Sequence, residues 1–194
     1  MYIPKHFAIS DDRKIGEFLK QNSFGEFTSI IEGRPFTSHL PFLFDAQTNT
    51  LRMHVAKSNP QWQHFGEEEV LLVVSGPHGY ISPTWYQSPG VPTWNYQAVH
   101  IYGAAKSITD PNELKSIVDE LTNLEEKKYP APWQPDYAAS MLKGIVGIEV
   151  KISEIQCKFK LSQNRSKNDQ VSVAEKLSEE GNEALGMAMK KENS

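Results

Sequence analysis

Short apolar runs alternate with polar, turn-rich segments along most of the chain. In "SDDRKIGEFLKQN", Ile15, Phe18 and Leu19 share one face at helical spacing behind Ser10 or Asp11 as cap, which predicts a first helix. "EFTSIIEG" reads as a short strand closed by Gly33, and "SHLPFLFDAQTNTLRMHVA" as a hairpin turning through Asp45–Thr50. Pro41 within that run predicts an edge position or a bulge, because proline cannot donate to a ladder on both sides. "EVLLVVSG" and "AVHIYGAAKSI" read as buried strands, the second with Gly103 at a bulge position. "TDPNELKSIVDELTNLEEKK" carries the clearest helix signal: Asp110 as cap, Pro111 in the first turn, Glu113 completing a capping box, and Leu114, Ile117, Val118, Leu121 and Leu124 on the buried face. "PAPWQP" stops it, "DYAASMLKG" reads as a short helix, and "IVGIEVKISEIQCKFKL" as one long strand or two joined by a bend. Short strands with few helices predict a mainly β fold with peripheral helices, of the small-barrel kind.

From about Asp169 the pattern changes. "SVAEKLSEEGNEALGMAMKKENS" places Ala174, Leu177, Ala184, Leu185 and Ala188 on one stripe, weakened by Gly181 and Gly186. The expected organisation is a main domain over 1–168 and an amphipathic helical tail over 169–194. That helix, Ser172–Lys190, either docks on the body or binds a partner.

Composition narrows the class. The chain has 194 residues, 39% of them hydrophobic, and a formal net charge of −4. An acidic balance with scattered Lys and Arg argues against a strongly basic nucleic-acid binder, so DNA is a partner the charge does not support. The single cysteine, Cys157, excludes a disulfide framework within the chain and favours a reducing compartment. Its place in the alternating run "EIQCKFKL" reads as structural. No apolar run approaches the ~20 residues of a membrane span, and "MYIPKHF" has no signal-peptide character. The expected setting is the cytoplasm, with no membrane partner.

Chemistry concentrates in three places. "KSNP" offers a cation, a hydroxyl, an amide and a turn-forming proline, which suits a phosphate, although a solvated turn after a strand has the same composition. "TSHLPF" adds polar groups at another strand end. "GPHGYISPTWYQSPGVPTWNY" packs four prolines, two tryptophans and three tyrosines into 21 residues. Rigid aromatic surface at that density suits a flat ligand, or a loop that packs as its own small core. The six histidines show no HExxH or paired-Cys spacing, so no metal is expected.

In order along the chain, "MYIPKHF", "HLPF", "HVAKSNPQW", "GPHGYISPTWY", "VPTWNYQAVH" and "KFKLSQNR" resemble the PaiB family of FMN-binding negative transcriptional regulators, from Met1 to about Val171. The resemblance implies a split β-barrel of the FMN-binding type, a homodimer, and flavin sites near the subunit interface. Lys57-Ser58 stands where the family usually has Arg-Ala, keeping the charge without the guanidinium fork. FMN unites the flat ligand and the anion that the residues ask for. Lys57, Ser58 and Asn59 are then expected near the phosphate, Thr37, Ser38 and His39 beside them, Trp94, Asn95 and Tyr96 near the ring, and Gln163, Asn164 and Arg165 after the closing strand. The function implied is regulatory, most simply transcriptional repression, direct or through a partner. Rival readings are a flavin-dependent oxidoreductase and a haem-binding split barrel. No catalytic acid, base or nucleophile is assignable, with His39, His54 and His78 as candidates only.

Overall fold

A computed structural model describes residues 1–66 and 68–193. The helices are α1 (Asp12–Gln21), α2 (Pro111–Glu126), α3 (Lys167–Glu179) and α4 (Glu183–Asn193). The strands are β1 (Phe24–Ile31), β2 (Arg34–Pro41), β3 (Leu43–Asp45), β4 (Thr50–Ala56), β5 (Val70–Ile81), β6 (Thr93–Ile108) and β7 (Ile145–Lys160). The strands form a seven-stranded sheet in the order β2-β1-β5-β6-β7-β4-β3, with antiparallel pairing wherever register is defined. This is the mainly β split-barrel class with peripheral helices.

The chain falls into two units. The first comprises Met1–Ile15, Ser75–Val99 and Gln156–Ser194, and the second Gly16–Val74 and His100–Ile155. In the second unit, alternation decides which face is buried. Leu51, Met53 and Val55 of β4 are fully buried with Val146, Ile148 and Val150 of β7, while Arg52 and His54 take the other face. Ile108, Leu114, Ile117 and Leu121 form a further cluster under α2. The cap expected of α2 is present: the Asp110 carboxylate accepts from the N–H groups of Asn112 and Glu113 at 2.9 and 3.0 Å. Pro41 ends β2 at one edge of the sheet, as its missing donor demands. Gly103 lies so close to β7 that a Cβ there would meet the Lys151 carbonyl oxygen at 2.3 Å.

Three elements differ from the sequence pattern. "DYAASMLKG" forms a 3₁₀ turn over Ala139–Gly144 rather than an α-helix. The strand expected to end at Gly76 continues through Pro77 to Ile81, and β6 begins inside the aromatic stretch, at Thr93. β1 pairs with β5 over Leu71–Val73, so Pro77 lies beyond that ladder. The tail helix is two helices. Gly181, at φ +83°, takes a left-handed conformation that a helix interior does not allow, and the chain turns there. Val173, Ala174, Leu177, Leu185 and Met189 are buried in this pair.

Candidate functional site

The expected site residues divide between the units. Thr37, Ser38, His39, Lys57, Ser58 and Asn59 belong to the second unit, and Trp94, Asn95, Tyr96, Gln163, Asn164 and Arg165 to the first.

In the second unit, the turn after β4 meets β2 through Gln61, a residue with no exposed surface. The Gln61 Nε2 amide donates to the Phe27 carbonyl, the Ser29 hydroxyl and the Phe36 carbonyl at 3.3, 3.0 and 3.1 Å. Its Oε1 accepts from the Ser38 hydroxyl at 2.5 Å, and Asn59 Nδ2 donates to that hydroxyl at 2.8 Å. Asn59 Oδ1 also accepts from the Gln61 N–H at 2.9 Å, capping the following 3₁₀ turn. Ser38 and Asn59 are therefore engaged in shaping the turn. Trp62 Nε1 donates to the Lys57 carbonyl at 3.0 Å, and the Lys57 N–H to the Gly144 carbonyl at 2.8 Å.

The backbone of Lys57 is thus held while its side chain is free. Lys57 and Ser58 are exposed and, among the described residues, their side chains have no partner. His39 is exposed on β2, and the Thr37 hydroxyl is shared with Thr28 at 2.8 Å. Opposite His39 on β1, Glu26 carries a buried carboxylate oxygen with no hydrogen bond. The set is one cation and a hydroxyl on a braced turn, with a further hydroxyl on β2 and an unsatisfied acceptor on β1. Those groups fit a phosphate carried on a polyhydroxyl chain, as in FMN.

The first unit uses its expected residues differently. Asn95 is 1% exposed and donates to the Ser162 hydroxyl at 2.9 Å and to Met189 Sδ at 3.3 Å. Gln163 closes its own turn, donating to the Phe159 carbonyl at 2.6 Å and accepting from the Leu161 N–H at 2.7 Å. Arg165 lies 4.3 Å from the Tyr86 ring centroid and donates to the Pro89 carbonyl at 3.2 Å. Asn95 and Gln163 hold backbone and helices together. Trp94 remains 55% exposed, with Tyr80 and His78 at 6.3 and 6.5 Å between ring centroids. Tyr96 lies under the Lys158 ammonium at 5.1 Å, and Asn164 is exposed.

The proline-rich aromatic stretch is fastened to the helical tail. The Asp169 carboxylate accepts from the N–H groups of Gln87 and Ser88 and from the Ser88 hydroxyl, at 2.8, 3.1 and 2.6 Å. Ser172 donates to the Trp85 carbonyl at 2.7 Å. The Tyr86 ring covers Gly90 so closely that a Cβ there would come within 2.3 Å of it. Cys157 is buried, and burial pushes its thiol up to about 12, so it is an inert core residue. Among the described residues no group of three or more His, Cys, Asp or Glu side chains converges as a metal site.

Gln61 and Asp169 were not singled out in the sequence. Gln61 follows Lys57-Ser58-Asn59-Pro60 directly, but its role depends on carbonyls of β1 and β2 that only the folded chain brings to it.

The fold is shared with flavin-binding proteins. The flavocytochrome Anf3 of Azotobacter vinelandii superposes with a TM-score of 0.63 at 18% identity, covering 87% of this chain and 77% of that one. A FAD and heme binding protein of Mycobacterium smegmatis gives 0.61 at 13% identity, covering 87% and 80%. The family described as "Putative FMN-binding domain" matches residues 1–154. "Protease synthase and sporulation protein PAI 2" of Bacillus subtilis is 42% identical over 193 residues, covering 94% of this chain and 91% of its own. The class is therefore that of the flavin-binding split barrels. The chain belongs to the FMN-binding domain family and to the PaiB group within it, and FMN is its cofactor.

Proposed function

We propose that the protein is an FMN-binding regulator of the PaiB type that holds the cofactor phosphate on the turn after β4. The observation that carries this reading is the free Lys57 ammonium beside the Ser58 hydroxyl on a turn fixed by Gln61 and Trp62. A preformed anion site gains affinity because little ordering remains to be done on binding. Thr37 and His39 flank the phosphate, and Glu26 accepts from a ribityl hydroxyl.

The regulatory role rests on the 42% identity to the sporulation protein named above. With a net charge of −4, the protein represses through a partner or through flavin state rather than by tight sequence-specific DNA contact. A homodimer completes the site: β2 is an edge strand with Phe36 38% exposed, and Phe24 on β1 is 59% exposed. Such apolar surface on a sheet edge calls for a cover. Among the described residues no helix is long and apolar enough to cross a membrane, and a cytoplasmic location is part of the same proposal.

Titration with FMN and with riboflavin tests the phosphate site. The expected result is tighter FMN binding by at least tenfold, the value of one charge-assisted contact of ~1.5–3 kcal/mol. Equal affinities overturn it.

A further inference from the structure

A second feature of the second unit lies outside the phosphate turn. His54 of β4, Val118 of α2, and Trp133, Asp136, Tyr137, Ala138, Met141, Leu142 and Ile145 line a cavity of about 560 Å³. That size is typical of a small-ligand pocket, and so is the lining, mostly apolar and aromatic with few polar groups.

The wall is preformed. The Tyr137 hydroxyl donates to Asp119 at 2.6 Å, and the Lys115 ammonium lies 5.6 Å from its ring centroid. The Trp133 N–H donates to Glu126 at 2.7 Å. The segment between α2 and β7 is thereby pinned to α2 at two points, with Trp133 47% exposed and Met141 67% exposed.

His54 is the unusual residue. Its Nδ1 is buried without a partner, and no hydrogen bond engages Nε2 among the described residues. Burial pulls its pKa below the ordinary histidine value, so the imidazole is neutral near pH 7. A neutral imidazole whose Nδ1 is enclosed has one usable polar atom, Nε2, donor or acceptor by tautomer. Asp136 adds an exposed carboxylate, also without a partner among the described residues.

We propose that this pocket binds a planar heteroaromatic ring, stacked on Trp133, with one edge hydrogen-bonded to His54 Nε2 and a ring N–H donated to Asp136. Two sources share that chemistry. His54 precedes Lys57 by three residues, ~10 Å along an extended chain, a span of the order that joins phosphate to ring in FMN. The ring is therefore either the flavin's own, which rests on the reading above, or that of a separate molecule.

The test uses benzimidazole as probe and indene as its apolar counterpart, by calorimetry on the full chain free of FMN. The expected result is saturable binding, with benzimidazole at least tenfold tighter than indene. Trp133→Ala and Asp136→Asn, at exposed positions, each weaken benzimidazole about tenfold, and His54→Phe does so while sparing indene. Equal affinity for the two probes, or wild-type binding by Trp133→Ala and Asp136→Asn, overturns the proposal. Repeating the titration on FMN-loaded protein separates the sources: undiminished binding assigns the pocket to a separate molecule. Loss of binding, with a shifted flavin absorption in His54→Phe, assigns it to the cofactor. The FMN-free arm stands whatever becomes of the phosphate site.

Discussion

The two units treat polar residues in opposite ways. In the second, Ser38, Asn59 and Gln61 satisfy one another and leave Lys57 and Ser58 free on a fixed turn. In the first, Asn95, Gln163, Arg165 and Asp169 are themselves the fastenings, each bonded to backbone, a buried hydroxyl or an aromatic ring. Polar residues of equal chemical appeal in the sequence thus divide into those that present and those that hold. Substitution separates the roles, because a presenting residue changes binding while a holding residue changes stability.

The largest effect is expected where a holding residue shapes the turn that presents Lys57. Gln61→Leu strips donors from the Phe27 and Phe36 carbonyls and the acceptor from Ser38 at a position with no exposed surface of its own. Each orphaned group costs about 1–3 kcal/mol. The variant should lose roughly 3 kcal/mol of stability, about 6–12 °C in Tm for a chain of this size, and bind FMN more weakly even where it remains folded. Thermal unfolding and FMN titration check both halves, and a stable variant with normal FMN affinity breaks the account of the second unit.

Lys57→Ala should change binding alone. Removing one charge-assisted phosphate contact, ~1.5–3 kcal/mol, weakens FMN by about tenfold or more. Riboflavin affinity and Tm should stay at wild-type values, since the side chain is exposed and unpartnered among the described residues. An equal loss for both flavins would make Lys57 a holding residue after all.

These two residues also show what the sequence makes legible. The helix α2, with Asp110 as cap and Leu114, Ile117 and Leu121 buried, was readable because its signals lie within a few residues of one another. The exposed turn at Lys57 was readable because its signal, an Asn-Pro two residues on, is local. Gln61 and Asp169 were not, because the partners that define their side-chain roles stand 23–34 and 81–82 residues away. The tail misled for a related reason: a stripe of Ala and Leu continues across Gly181, and only the glycine's positive φ shows that the helix has turned.

Asn95→Ala should behave as the counterpart of Lys57→Ala. The side chain is buried against Ser162 and Met189, so its loss leaves a small void and an unmatched hydroxyl. A cost of roughly 1–2 kcal/mol is expected, a fall of about 2–8 °C in Tm. The ratio of FMN to riboflavin affinity should not move. A changed ratio at normal Tm would return Asn95 to the ligand and erase the contrast between the units.

The smallest effect is expected at Asp169. Hydrogen bonds from the Ser88 hydroxyl and the Gln87 and Ser88 N–H groups favour its charged form, and the Ser88 hydroxyl is the largest cause holding its pKa below the ordinary carboxylate range. A carboxylate with a depressed folded-state pKa contributes stability that is complete above its unfolded value, ~3.9, and is lost as pH falls through the folded one. Asp169→Asn keeps an acceptor for the two N–H groups but loses the charge and the oxygen that accepts from the Ser88 hydroxyl, which must turn to accept from the amide NH2 instead, so the Tm difference from wild type should be a few degrees at neutral pH. Because the wild-type carboxylate itself takes up a proton in acid, the two proteins should converge as pH drops below about 4. A Tm difference that stays constant from neutral pH into that range would show that the charge does not fasten the aromatic stretch to the tail, and that shape alone holds it.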